Sequence, residues 1–205
     1  MYTVTRNYLE PEIFQSLKNY AFNEINDSNL SFEQSDDYVD SAGILAYNMT
    51  CSIPHGYDKL MHMYPGYRPY LDNILKKDCN VTHIIALKMK TGSVMQEHVD
   101  DGITDLISDY SRDIRPSSTN VLYVNVPENM EGGQLYIKTK DGTKYVTPEE
   151  NMRAEFQGGI IPHGVTRVVS KPAGERHMIV CEQYKLSLRC LRKLQKHGDP
   201  ILRKG

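Results

Sequence analysis

Hydrophobic residues along the chain follow two periods, one in each part. From Pro11 to Asp27 the apolar positions Ile13, Phe14, Leu17, Tyr20, Ala21 and Ile25 recur at helical spacing. Pro11 suits the first turn of that helix, where its missing N–H costs nothing. The stretch Ser28–Asp40, rich in Ser, Asn and Asp, reads as loop. Beyond residue 80 the period changes. Val81–Met89, Val121–Val126, Gln134–Lys138, Arg153–Phe156, Val165–Val169 and His177–Tyr184 are short β-branched or apolar runs separated by Gly and Pro. Asp141-Gly142, between Tyr136-Ile137 and Tyr145-Val146, is a hairpin dipeptide. Leu186–His197 returns to helical spacing through Leu188, Leu191 and Leu194. This pattern predicts a mainly β protein with flanking helices, of the jelly-roll (double-stranded β-helix) kind. It divides into helical and loop support over 1–80, a jelly-roll core over 81–184 and a basic helix or tail over 185–205.

Composition changes this picture little. A chain of 205 residues, 40% hydrophobic and 24% charged, is expected to form a single domain. The net charge of -2 gives no overall pull toward nucleic acid or anionic membrane. Seven Lys and Arg fall between Lys185 and the end, which reads as a solvated helix. The four cysteines form no CxxC pair, so zinc knuckles and thioredoxin-type sites are not expected. No signal peptide or long apolar run stands out, and the reading is a cytoplasmic protein with no membrane partner.

The candidate chemistry begins at Glu97-His98-Val99-Asp100. Residues two apart on a strand share a face, so His98 and Asp100 can aim at one point. His163, just before another strand-like run, offers a third ligand. Two imidazoles and one carboxylate, with positions left open, suit non-haem Fe(II). Arg176 lies thirteen residues further on, and its guanidinium fork matches a carboxylate.

In this order the pieces resemble the Fe(II)/2-oxoglutarate-dependent dioxygenase superfamily, in its prolyl 4-hydroxylase-like branch. The resemblance spans about Val81 to Tyr184. Gly92 followed by His98-Val99-Asp100 is similar to the first metal motif. Thr119–Asn125 with Gly132-Gly133-Gln134-Leu135 is similar to the core strands. Phe156 followed by Pro162-His163-Gly164-Val165 is similar to the strand carrying the second histidine, and Gly174-Glu175-Arg176 to the cosubstrate motif. It implies that His98, Asp100 and His163 bind Fe(II), that Arg176 pairs with the C5 carboxylate of 2-oxoglutarate, and that Tyr123 lines the cosubstrate pocket. The chain departs from the pattern at Met95 and Glu182, where aromatic residues are common.

The implied activity is hydroxylation of a C–H bond with O2, releasing succinate and CO2, with ascorbate as a supporting reductant. A prolyl residue of a peptide or protein is the first expected substrate, and a free amino acid or other small molecule the second. A reading of another class is a non-catalytic, cupin-like metal-binding module. A nucleic-acid oxygenase using the basic tail ranks below these, and the sequence does not set the oligomeric state. The stretch Gly102–Ser118, with Tyr110, Arg112 and Arg115, is a candidate lid. The Tyr-rich stretch Gly56–Tyr70 is a candidate source of aromatic pocket walls.

Overall fold

The structure, a computed structural model, describes residues 1–21, 44–107 and 114–204. The expected loop at Ser28–Asp40, the end of the first expected helix, and Tyr110 and Arg112 lie outside the described residues. In chain order the first elements are β1 (Tyr2–Thr5), α1 (Pro11–Ala21), β2 (Ile44–Ser52), α2 (Tyr57–Met63), α3 (Arg68–Ile74), β3 (Val81–Lys90), β4 (Met95–His98) and α4 (Thr104–Ile107). They are followed by β5 (Ser118–Asn125), β6 (Met130–Gly132), β7 (Leu135–Thr139), β8 (Gly142–Val146) and β9 (Met152–Phe156). The last are β10 (His163–Val165), β11 (Val168–Ser170), β12 (Glu175–Tyr184), α5 (Leu188–Lys196) and β13 (Ile201–Lys204). Among the described residues no helix is long and apolar enough to cross a membrane.

The larger sheet has the order β1-β9-β5-β12-β3-β2-β13, and the smaller one β4-β10-β7-β8. A two-stranded ladder, β11-β6, extends the fold at one end. All pairings are antiparallel. The jelly roll expected from the many short strands is what forms. The larger sheet, however, reaches beyond the stretch 81–184 expected to supply it, taking β1 and β2 from before and β13 from after. The expected run Val165–Val169 is also divided. After Val165 the chain leaves the smaller sheet, Gly133 N–H donates to Arg167 O, and β11 pairs with β6 instead. Gly132 and Gly133 make this crossing at φ +67 and +62, values favourable to glycine.

The larger sheet is covered on both sides. On its outer face Ile84, Leu122, Ile179 and Cys181 pack against Leu17 of α1, Leu60 of α2 and Leu71 of α3. On its inner face Leu87, Val121, Tyr123 and Met178 meet Leu135, Ile137 and Val165 of the smaller sheet. Strand β12 serves both layers by alternation, Ile179 and Cys181 outward, Met178 and Val180 inward, and seven of its ten residues are buried.

The Tyr-rich stretch 56–70 belongs to the outer helical layer, and the reading of it as a pocket wall is corrected. Tyr57, Tyr67 and Tyr70 are buried with Leu60 and Leu71. Tyr67 OH donates to Ala21 O at 2.8 Å and Tyr57 OH to Asp72 at 2.6 Å. Their rings cement α1–α3 to the sheet and to one another.

Candidate metal centre and adjoining cavity

His98 ends β4 and His163 begins β10, and the two are direct partners in the antiparallel register. Directly opposed residues project to the same face, which brings the ring centroids to 4.4 Å. Asp100 lies just past the end of β4, and its N–H donates to Gly158 O at 3.0 Å, holding the chain extended. Its Oδ1 lies 3.6 Å from His98 Nε2 and 3.3 Å from His163 Nε2. One donor atom from each of the three lies within 4.8 Å of the others.

The surroundings fix each group for ligation. His98 Nδ1 lies 2.8 Å from Gln96 O, and His163 Nδ1 lies 2.9 Å from Ile161 O. A carbonyl only accepts, so each Nδ1 carries the proton and each Nε2 keeps its lone pair in the neutral ring. Thr119 Oγ1 donates to Asp100 Oδ2 at 2.5 Å, leaving Oδ1 toward the histidines. Phe156 packs edge-on to His163, 4.6 Å between centroids. Gly158 is required here, because a Cβ would collide with both Asp100 Oδ2 and Thr119 Oγ1. Burial works to raise the Asp100 carboxyl, but the hydrogen bonds that His163 and His98 donate through Nε2 in their protonated forms outweigh it and hold the group well below the usual carboxylate range. Burial also opposes charge on His98, yet the bond to Asp100 leaves that imidazole above its ordinary value.

The triad opens on a cavity of about 320 Å³ between the two sheets. Leu87, Val121, Leu135, Val165, Met178 and Val180 supply apolar walls. At one end stands Arg176, fully buried on β12. Its Nη1 donates to Gly133 O, its Nη2 reaches Met178 Sδ at 3.0 Å, and its guanidinium lies 5.1 Å from the centre of the Tyr123 ring. Among the described residues no carboxylate pairs with it. Arg176 Nε and the Tyr123 hydroxyl are both buried and without hydrogen-bond partners. Burial lowers the guanidinium and raises the phenol from their ordinary values. A buried cation lacking an anion costs several kcal/mol by order of magnitude. The arrangement therefore suits an incoming carboxylate, which would accept from both groups.

All five residues singled out in the sequence, His98, Asp100, His163, Arg176 and Tyr123, line this one cavity. Of the expected lid, Gly102, Asp105 and Leu106 also line it. Arg115 instead donates to the Asp100 backbone carbonyl at 3.2 Å. Sequence reasoning assigned no role to Thr119, Gly158, His83 or Glu182. Thr119 had only been quoted within a motif, Glu182 only noted as a departure from the family pattern, and a lone Gly or His carries no local signal of its task.

No protein-family model matches the sequence, and no curated protein matches it. Solved structures do. A Pseudomonas putida prolyl-4-hydroxylase superposes with a TM-score of 0.62 at 16% identity, over 91% of this chain and 93% of that one. A Trichoplax adhaerens prolyl hydroxylase, solved with a peptide fragment of the hypoxia inducible factor oxygen degradation domain, gives 0.60 at 12% identity, over 97% and 87%. A 2OG-Fe(II) oxygenase family oxidoreductase from Burkholderia pseudomallei gives 0.54 at 14%, over 91% and 86%. At such identities the likeness is one of architecture, and the chain has the fold of the prolyl hydroxylases and 2OG-Fe(II) oxygenases.

Proposed function

We propose that this protein is an Fe(II)- and 2-oxoglutarate-dependent oxygenase that hydroxylates a C–H bond. His98, Asp100 and His163 hold the metal through two imidazole Nε2 atoms and one carboxylate oxygen, a donor set that leaves other positions open. Arg176 and Tyr123 receive the distal carboxylate of the cosubstrate. The ferrous ion and 2-oxoglutarate, when bound, supply with O2 the oxidising chemistry that releases succinate and CO2. The chain's own tasks are to keep each imidazole in one tautomer, orient Asp100 through Thr119, and line the space with apolar side chains that exclude water. The observation that carries the reading is the pairing of a prepared triad with a buried arginine that no acid among the described residues compensates, in one cavity of about 320 Å³.

A prolyl residue in a peptide is the first acceptor to test, on the strength of the two prolyl hydroxylase folds. A free amino acid or other small molecule is the second, favoured by the polar residues at the end of the cavity away from Arg176. The test is succinate release with Fe(II), 2-oxoglutarate and ascorbate, over a panel of prolyl peptides and free amino acids. Succinate that depends on both Fe(II) and 2-oxoglutarate is expected. Metal binding without any succinate would leave the non-catalytic, cupin-like module in its place.

A further inference from the structure

The inner face of the larger sheet changes character along β12. Arg176, Met178, Val180 and Glu182 project into the cavity in succession. Arg176 and Glu182 are six residues apart, roughly 20 Å along the strand. The cavity thus has a cationic pole and an anionic pole, with apolar wall between them.

Glu182 sits in a cross-strand row. It is the register partner of His83 on β3 and of Thr119 on β5, and His83 is the partner of Thr50 on β2. Thr50 Oγ1 and His83 Nδ1 lie 2.8 Å apart. Thr119 leads to the metal triad through its bond to Asp100, so Glu182 is one strand away from a residue that touches the centre. The loop after Asp100 closes over the same place. A Cβ on Gly102 would lie 2.9 Å from His83 Cδ2 and 3.0 Å from Glu182 Oε2. Gly102 is itself exposed, and it lines the same cavity as Glu182 and the triad.

A glutamate in this position needs an explanation. It is only 3% exposed. Its neighbour Tyr184 donates a hydrogen bond to Oε2, and among the described residues no Lys or Arg pairs with it. Burial, followed by the nearness of Asp100, pushes its carboxyl well above the usual range, so its charged form is held at a cost. A carboxylate buried this way is stabilised most by a cation that arrives with its own hydrogen-bond donors.

We infer that the substrate presents an ammonium or guanidinium group to Glu182, held at the pole of the cavity opposite Arg176. Arg176 takes the anionic cosubstrate and Glu182 sorts acceptors by positive charge. This assignment rests on the oxygenase reading above. The charged group belongs either to a free basic amino acid or to a Lys or Arg side chain of a peptide.

The experiment compares cationic acceptors with neutral counterparts of the same shape on the Fe(II)-loaded protein. One arm uses free L-lysine and L-arginine against L-norleucine and L-citrulline. The other uses peptides carrying the same four side chains. Succinate release should favour the cationic members by about tenfold in kcat/KM, as expected for one charge-assisted contact. Glu182→Gln should bring that ratio close to one, and the responding arm names the source of the charge. Equal or better turnover of the neutral members overturns the charge assignment while leaving the oxygenase reading intact. If no acceptor raises succinate, melting temperature decides. Millimolar L-arginine should stabilise the wild-type protein more than L-citrulline does, and equal or absent shifts overturn the assignment. Absence of succinate under every condition refutes the oxygenase reading separately. If Glu182→Gln fails to fold, the wild-type comparison of arginine with citrulline stands on its own.

Discussion

The end of the cavity at His98, Asp100 and His163 and the end at Arg176 are built in opposite ways. Around the triad every auxiliary atom is engaged, with both Nδ1 atoms on carbonyls and Asp100 Oδ2 on Thr119. Around Arg176 the reverse holds, since its Nε and the Tyr123 hydroxyl are buried without partners and among the described residues no acid neutralises the guanidinium. The first end is a finished socket that orients three donors toward a small cation. The second is unfinished until an anion arrives. A buried charge without compensation is a cost to folding, and here the cost falls where an anionic ligand would remove it.

The largest expected effect comes from cutting into the finished end. His163→Ala, His98→Ala or Asp100→Ala each removes one of three donors, and Fe(II) binding and succinate formation should fall below detection. Metal titration followed by turnover is the check, and full activity in any of these variants would displace the triad. Breaking the unfinished end should look different. Arg176→Ala should leave Fe(II) binding nearly intact and raise the 2-oxoglutarate KM by roughly 100-fold, the loss of a bidentate charged contact worth about 3 kcal/mol. Arg176→Met sharpens the contrast. It should bind 2-oxoglutarate as poorly, yet melt above the wild type without cosubstrate, because replacing buried charge with apolar volume is neutral or stabilising by about 1–4 kcal/mol. A lower melting temperature for Arg176→Met would show that the guanidinium is compensated after all.

The two ends were also unequally legible in the sequence. His98 and Asp100 could be read as a pair because an extended segment turns residues two apart to one side, and this holds although β4 ends at His98 and Asp100 stands just beyond it. His163 followed from its place before a strand, and the register that sets it opposite His98 needed the fold. Arg176 was legible as a fork for a carboxylate, while its isolation from every acid among the described residues was not, since that depends on what the other strands bring near. Strand β2 escaped notice because ILAYNMTCS lacks strict alternation; flanked by β3 and β13, it packs Tyr47, Met49 and Cys51 into the outer core and turns Ile44, Ala46, Asn48 and Thr50 to the cavity. The tyrosines between 56 and 70 misled for a related reason. Aromatic side chains serve a helical core as readily as a binding wall, and only packing decides which.

A smaller effect tests how much the finished end owes to its supports. Thr119→Val keeps the shape of the side chain and removes the donor to Asp100 Oδ2. Changes to such supporting hydrogen bonds typically weaken a metal site by roughly 10–100-fold. Fe(II) affinity should fall within that range, with the 2-oxoglutarate requirement measured at saturating iron unchanged. A shift in the 2-oxoglutarate requirement at saturating iron would mean that the two ends are coupled through β5, which carries both Thr119 and Tyr123.

The smallest effect concerns Glu182, which belongs with Arg176 as a buried ionisable group, one that no Lys or Arg among the described residues pairs with. Burial and nearby Asp100 raise its folded carboxyl well above the value near 4.5 of the unfolded chain. Between those two values the folded protein binds more protons than the unfolded one, so the contribution of Glu182 to stability falls as pH rises. Glutamine does not titrate and can still accept from Tyr184. The metal-free Glu182→Gln protein should therefore melt above the wild type at pH 7.5, by a few degrees for each ~1 kcal/mol at this chain length. The advantage should shrink as pH falls and vanish below about 4.5, where both side chains are neutral. A difference that stays constant across this range would mean that the carboxyl titrates alike in both states. The anionic pole of the cavity would then be a solvated group, and the contrast with the finished metal end would be confined to Arg176.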